Sequence, residues 1–275
     1  MYLKPDTGSQ AQPLVLKDRY RKLEHRIENI MKETLRKMEK LLTPQIQDLL
    51  RLSGKLANSN GQRAYCVGGF VRSILLGIDN FDIDITIEGD GLFFARRLAN
   101  KLKGSLTLHK QFATATVLAK HFKIDVATAR EEIYKYPAAY PKVFFSTIRK
   151  DLKRRDFTIN AMAISLNSRG FGKLLDFFNG ADDLRKKSIK VLHDKSFIDD
   201  PTRIFRAVRF EQRLNFTISK NTQRLIKDAV AIGLLDKIGK NRLKKEIDLI
   251  KKEKAPKKVF KRLRQLLGEN NVPNG

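Results

Sequence analysis

The chain is short of cysteine, of acidic residues and of long apolar runs, and each shortage removes a class of protein. Cys66 is the single cysteine among 275 residues. No internal disulfide can form, and no Cys/His zinc spacing exists. Cys66 lies in an apolar stretch and reads as a small core residue in a reducing compartment. No apolar run approaches the roughly 20 residues that span a bilayer. The N-terminal MYLKPDTGSQAQPLVLKD lacks the long apolar core of a secretion signal. The expected location is therefore cytoplasmic. A Walker-type phosphate loop, G-x-x-x-x-G-K-[ST], is also missing.

What is present in excess is positive charge. There are 56 Lys+Arg against 30 Asp+Glu, a formal net charge of +26. Solubility does not require so one-sided a balance. It implies a polyanionic partner, most simply a nucleic acid; the alternative is a solvated lysine-rich surface. The excess gathers late, since Lys237–Arg264 holds 13 Lys/Arg against 3 Asp/Glu. Hydrophobic residues make up 41%, enough to bury a core in one large domain or two modest ones.

Residues 1–16 are rich in Pro, Gly, Ser and Gln and read as a linker. Tyr20, Leu23, Ile27, Ile30, Met31, Leu35, Met38 and Leu42 then recur at helical spacing, so 17–60 is expected to be a helical leader. Thr43-Pro44 sets an N-cap and an N1 proline for a second helix burying Ile46, Leu49, Leu50 and Leu56. AYCVGG predicts a strand entering a glycine turn, and FVRSILLG a short helix closed by Gly77. FDIDITIE alternates strictly, with Phe81, Ile83, Ile85 and Ile87 on one side and Asp82, Asp84, Thr86 and Glu88 on the other. LFFARRLANKLKG predicts an amphipathic helix; FATATVLAK and FKIDVATA predict two strands. Residues 130–150 read as a loop. From Asp151 the pattern is helical apart from GKLLDFF and the NGADD turn.

Asp82 and Asp84 point the same way from a strand. Two carboxylates so close repel unless a cation lies between them. Hard oxygens suit Mg2+, which also prefers to share substrate phosphates. If the strand holding Asp125 is adjacent, a third carboxylate joins, a layout for in-line nucleotidyl transfer. Alone, D-x-D is better explained by the solvated face of an edge strand. Gly68 and Gly69 upstream allow close approach to phosphate beside a helix N-terminus, and Arg72 adds a forked cation. Asp200 and Arg203, three apart, are expected as neighbours on one helix, offering an acceptor and a donor. Cytosine and adenine both present an amino donor beside a ring-nitrogen acceptor, whereas uracil and guanine present the reverse. The alternative is a plain intrahelical ion pair.

Five ordered segments carry a family resemblance: VGGFVRSILLGIDNFDIDITIEG, DLKRRDFTINAMA, LLDFFNGADDL, FIDDPTRIFRAVRF and IGKNRLKKEI, across roughly residues 60–250. Together they resemble the class II tRNA nucleotidyltransferases and bacterial poly(A) polymerases of the polymerase-beta-like superfamily. The resemblance implies an α+β fold, a nucleotidyltransferase head with a mixed β-sheet at 61–180 followed by an all-α neck at 181–275, the usual helical body and tail being absent. It implies addition of C and/or A to the tRNA 3′ end from CTP and/or ATP with Mg2+. Poly(A) synthesis, or a non-catalytic RNA-binding module that keeps the fold, are the alternatives. Asp82 and Asp84 are implied as metal ligands with Asp125 in support, and Gly69 and Arg72 along the triphosphate. Arg155 and Asp156 are implied at the nucleotide, the latter at a ribose hydroxyl, with Asn160 bracing the turn. Asp200 and Arg203 are implied to read the base, and Arg206 and Arg209 to reach phosphates, although Arg209 falls about half a turn from Asp200 and is alternatively a fold brace. Ser73 stands where the family has Asp, Asp199 replaces a usual Glu, and Ala181 replaces a second glycine.

Overall fold

The computed structural model describes residues 28–79 and 82–272. The expected linker, the first turns of the leader and Phe81 lie outside the described residues. Helix α1 covers 28–41 and buries Thr34 and Met38, with Leu42 buried just beyond its end. Helix α2 (Pro44–Ser59) opens as its sequence requires: Pro44 sits at N1 and the Thr43 hydroxyl accepts from the Ile46 amide at 3.4 Å. Leu49, Leu50 and Leu56 are buried.

Strand β1 (Arg63–Val67) leads through Gly68 into α3 (Gly69–Leu76), which Gly77 ends in the left-handed region. Then come β2 (Ile83–Glu88), α4 (Gly91–Leu102), β3 (Ser105–His109), β4 (Thr114–Ala119) and β5 (Phe122–Thr128). A hairpin, β6 (Arg130–Ile133) and β7 (Lys142–Phe145), precedes α5 (Ile148–Lys153), β8 (Ala163–Ser165) and β9 (Leu174–Leu175). The rest is mainly helical: α6 (Gly180–Arg185), β10 (Ser188–Ile189), α7 (Ser196–Asp199), α8 (Arg203–Leu214), β11 (Thr217–Ile218), α9 (Lys220–Ala231), α10 (Lys240–Lys251) and α11 (Pro256–Leu267). The fold is α+β, a mixed sheet followed by helices.

The main sheet has seven strands in the order β3-β4-β5-β2-β1-β8-β9. Among the described residues of this sheet, β2 and β5 run parallel and the other pairings are antiparallel. One face is the core. Ala64, Cys66, Ile83, Ile85, Ile87, Val117, Ile124 and Val126 bury there with Leu50, Phe70 and Phe94 from α2, α3 and α4. The other face carries the carboxylates, and α5 covers part of it through Ile148 and Leu152 packed on Tyr65 and Val67.

Three expectations are corrected. Residues 130–150 are not a loop. Their strands carry Arg130, Glu131, Glu132 and Lys142, whose charge hides the alternation. The hairpin is held by pairs such as Arg130–Glu132 at 3.0 Å and Arg154–Glu132 at 3.0 Å. Ala163–Ser165 is not helical but a strand between β1 and β9, too short to show a period. Ser105–His109, assigned to no element by its pattern, forms the edge strand β3. Thr86, on the carboxylate face, is 1% exposed. It stands opposite Tyr65 on the part of the face that α5 covers.

Candidate active site

Parallel pairing of β2 with β5 puts Asp84 directly opposite Asp125. Asp82 precedes β2 and is exposed. Burial pushes the Asp84 carboxyl up to about 6, with Asp125 and Asp82 adding to the rise and Arg155 opposing it. Asp125 is already engaged: Thr116 donates to its Oδ1 at 2.6 Å and Lys123 to its Oδ2 at 2.8 Å. Among the described residues, no group of three or more His, Cys, Asp or Glu side chains is assembled to hold a metal. Asp82 and Asp84 therefore form the open donor pair. Their oxygens, and the raised pKa of Asp84, suit a hard divalent cation.

Gly68 adopts φ +63, and a Cβ there would meet Arg155 Nη1 at 3.0 Å. The backbone thus turns into α3 where a side chain would crowd the guanidinium. Arg155 donates to Asp151 Oδ2 at 2.9 and 3.3 Å, and Arg154 to Oδ1 at 2.7 and 3.1 Å. Asp151 is fully buried. Burial acts to raise its pKa, but the Arg155 and Arg154 guanidiniums prevail and hold it below the usual carboxylate range.

Asp156 is the second buried acid. Burial again opposes ionisation, yet Arg206 and Asn160 hold its carboxyl at about 2. Arg206 donates to Oδ2 at 2.6 and 2.9 Å; Asn160 donates to Oδ1 at 3.0 Å. Asn160 in turn accepts from Arg72. Four guanidiniums surround the Phe210 ring, from Arg72 at 5.1 Å to Arg213 at 5.8 Å. Burial, and the charges of Arg213, Arg206 and Arg209, lower Arg72 to about 10.

Asp200 and Arg203 are not neighbours on one helix. Asp200 lies outside both α7 and α8, at φ −144 and ψ 95. Its Oδ1 accepts from the Thr202 amide at 3.0 Å and the Thr202 hydroxyl at 2.6 Å, and forms an ion pair with Arg242 at 2.6 Å. Arg203 opens α8 and is buried, donating to Ser196 Oγ at 2.8 Å and to the Arg154 carbonyl at 2.7 Å. Arg209 is buried against Glu246 and Glu253 at 3.5 and 3.7 Å.

One cavity of about 570 Å³ is lined by Gly68, Gly69, Arg72, Asp82, Asp84, Arg155, Asp156, Asn160, Asp200, Arg203, Arg206 and Arg209. Asp125 instead lines an adjoining cavity of about 420 Å³ with Asp84 and Arg155. Sequence reasoning missed Glu132, Tyr134, Arg154, Phe210, Arg213 and Glu246 in the larger wall. Phe210 and Arg213 were within reach, because 206, 210 and 213 share one face of α8. Glu132 and Tyr134 had no signal, being read as loop.

Residues 64–190 match the poly A polymerase head domain. The A-adding tRNA nucleotidyltransferase of Geobacter sulfurreducens is 49% identical over 216 residues, covering 78% of this chain and 24% of that one. A CCA-adding enzyme solved with ATP is 46% identical with a TM-score of 0.77, over 85% of this chain and 54% of that one. The Thermotoga maritima CCA-adding enzyme solved with tRNA is also 46% identical with a TM-score of 0.77, over 86% of this chain and 55% of that one. The chain thus spans about a quarter of the first relative's length and about half of the solved chains.

Proposed function

We propose that the chain, whose residues 64–190 match the poly A polymerase head-domain family, transfers nucleotides to the 3′ end of tRNA, with ATP and/or CTP as donor. The observation that carries this is Asp84, a half-buried carboxyl with no hydrogen-bond donor among the described residues, facing an arginine-lined cavity. Relatives solved with ATP and with tRNA support both substrates.

In this reading Asp82 and Asp84 hold Mg2+. When bound, the ion lowers the pKa of the attacking 3′ hydroxyl and neutralises charge on the phosphates. Gly68 and Gly69 let the triphosphate approach the backbone, and Arg72 faces it as a forked donor. Arg155, held by Asp151, fixes the floor beneath Asp84. Asp156 is locked by Arg206 and Asn160; a ribose hydroxyl meets an acceptor already oriented. Asp200 has its Oδ1 occupied by two hydrogen bonds from Thr202 and an ion pair with Arg242, so Oδ2 is left to accept from the amino group shared by adenine and cytosine. Arg203 has five N–H donors; those unused by Ser196 and Arg154 face the ring nitrogen.

The test is transfer of labelled ATP and CTP to tRNAs lacking one, two or three terminal nucleotides, with an oligoadenylate as control. Wild type extends the tRNAs, and Asp82→Ala or Asp84→Ala abolishes extension at an unchanged fold. Preferential extension of the oligoadenylate would make the chain a poly(A) polymerase. No extension of any primer would make it an RNA-binding module.

A further inference from the structure

A second cavity, of about 680 Å³, meets the first at the aspartates. The two share Gly69, Arg72, Asp82, Asp84 and Arg213. Beyond these the second is lined by Ser73 and Gln212 and by the α10–α11 junction, including Lys252, Glu253 and Lys254.

The cations of the two cavities differ in kind. In the first, arginines dominate and are largely spoken for: Arg154 and Arg155 by Asp151, and Arg206 by Asp156. No lysine lines it. In the second, Glu253 is claimed by Arg213, whose Nε lies 3.0 Å from both carboxylate oxygens. Lys252 and Lys254 are exposed, and neither has an ion pair or hydrogen-bond partner among the described residues. A lysine is a hydrated point charge on a flexible stem, suited to an anion that must bind and leave. Arg72 stands between the cavities amid other guanidiniums, and that crowding favours a mobile anion beside it.

Nucleotidyl transfer makes such an anion. The 3′ oxygen forms a bond to the α-phosphorus and its proton passes to solvent. The bond from the α-phosphorus to the bridging oxygen breaks, and its electron pair leaves with pyrophosphate. We propose that the second cavity is a pyrophosphate site, in which Lys252 and Lys254 take the leaving group as it departs Asp82 and Asp84. The proposal rests on the nucleotidyl-transfer reading of those aspartates. It adds a route by which product leaves without passing back through the base and ribose pocket.

Calorimetric titration with inorganic pyrophosphate, ATP and AMP, each with Mg2+, tests it on wild type and on the double variant Lys252→Glu/Lys254→Glu. Both lysines are exposed, so the melting temperature should hold; the Lys252→Arg/Lys254→Arg variant is the conservative control. Pyrophosphate should bind wild type and weaken by roughly tenfold or more in the double Glu variant, with ATP and AMP far less affected and the Arg variant close to wild type. No binding to wild type, or equal affinity in both proteins, overturns the proposal. Equal weakening of ATP and pyrophosphate also overturns it, because the lysines would then hold the substrate's own phosphate tail. If pyrophosphate binds in a lysine-dependent way while no primer is extended, the anion site stands and the transfer reading falls.

Discussion

At Asp84 the physics of one residue sets a measurable sign. An acid whose folded pKa is raised above its unfolded value binds its proton more tightly in the native state. The folded value is about 6 against an ordinary 3.8. Its ionisation therefore subtracts stability progressively as pH rises from about 4 to above 6, and subtracts nothing below 4. Asp84→Asn removes that cost. In chelator, the variant should be more stable than wild type at pH 8 by at most about 3 kcal/mol, from roughly two pKa units at 1.36 kcal/mol each. Denaturant melts at pH 8 and pH 4 check it: the gain should appear at the first and vanish at the second. A variant less stable at both values would mean the carboxylate is structurally satisfied and is no open ligand. This residue was legible in the sequence because strand parity alone puts Asp82 and Asp84 on one face. The Asp200–Arg203 pair was misplaced because the spacing rule assumed an unbroken helix. Pro201 is the signal that was passed over: a residue before proline is driven out of the helical region, and Asp200 is extended.

At the scale of elements, α2 shows why composition rules need packing. Gly54 lies mid-helix, where replacement by Ala ordinarily stabilises by about 1 kcal/mol. Here an added Cβ would fall 1.7 Å from the Leu166 carbonyl oxygen. That oxygen follows β8, the strand inserted beside β1, so the glycine lets the helix rest on the sheet's backbone. Gly54→Ala should reverse the ordinary sign and destabilise by about 1–3 kcal/mol, the range for overpacking. Urea unfolding of the variant measures this, and a stabilised protein would show that α2 stands away from the sheet. The long periodic elements were readable: α2, α4, β2, β4 and β5 each bury one clear face. The short ones were not. β8 has three residues, β9 has two, and β6 carries charges that pair with Arg154 across the sequence. Their identity is decided by partners distant in the chain, which no local window contains.

For the whole molecule, the excess of positive charge is the property most directly read from composition, and the fold decides where it acts. Helices α10 and α11 keep Ile247, Ile250, Val259, Phe260 and Leu263 inward, leaving Lys257, Lys258 and Lys261 exposed. These form no ion pair among the described residues, so their charge is available to a polyanion. Each phosphate neutralised releases condensed counterions, and log affinity falls by about 0.7 per log unit of salt for single strands and about 0.9 for duplex. Replacing the three lysines by Gln should weaken RNA binding uniformly across sequences. It should also flatten the log–log salt slope by roughly 2 to 3, the sum of three such contacts. Because these side chains lie away from the nucleotide cavity, KM for RNA should rise while KM for nucleotide barely moves. Filter binding between 50 and 300 mM salt, with roughly equal steps in log concentration, resolves a change of that size. If the triple variant binds RNA with the parent slope, the phosphates are met on another face, and the basic end of the chain serves solubility alone.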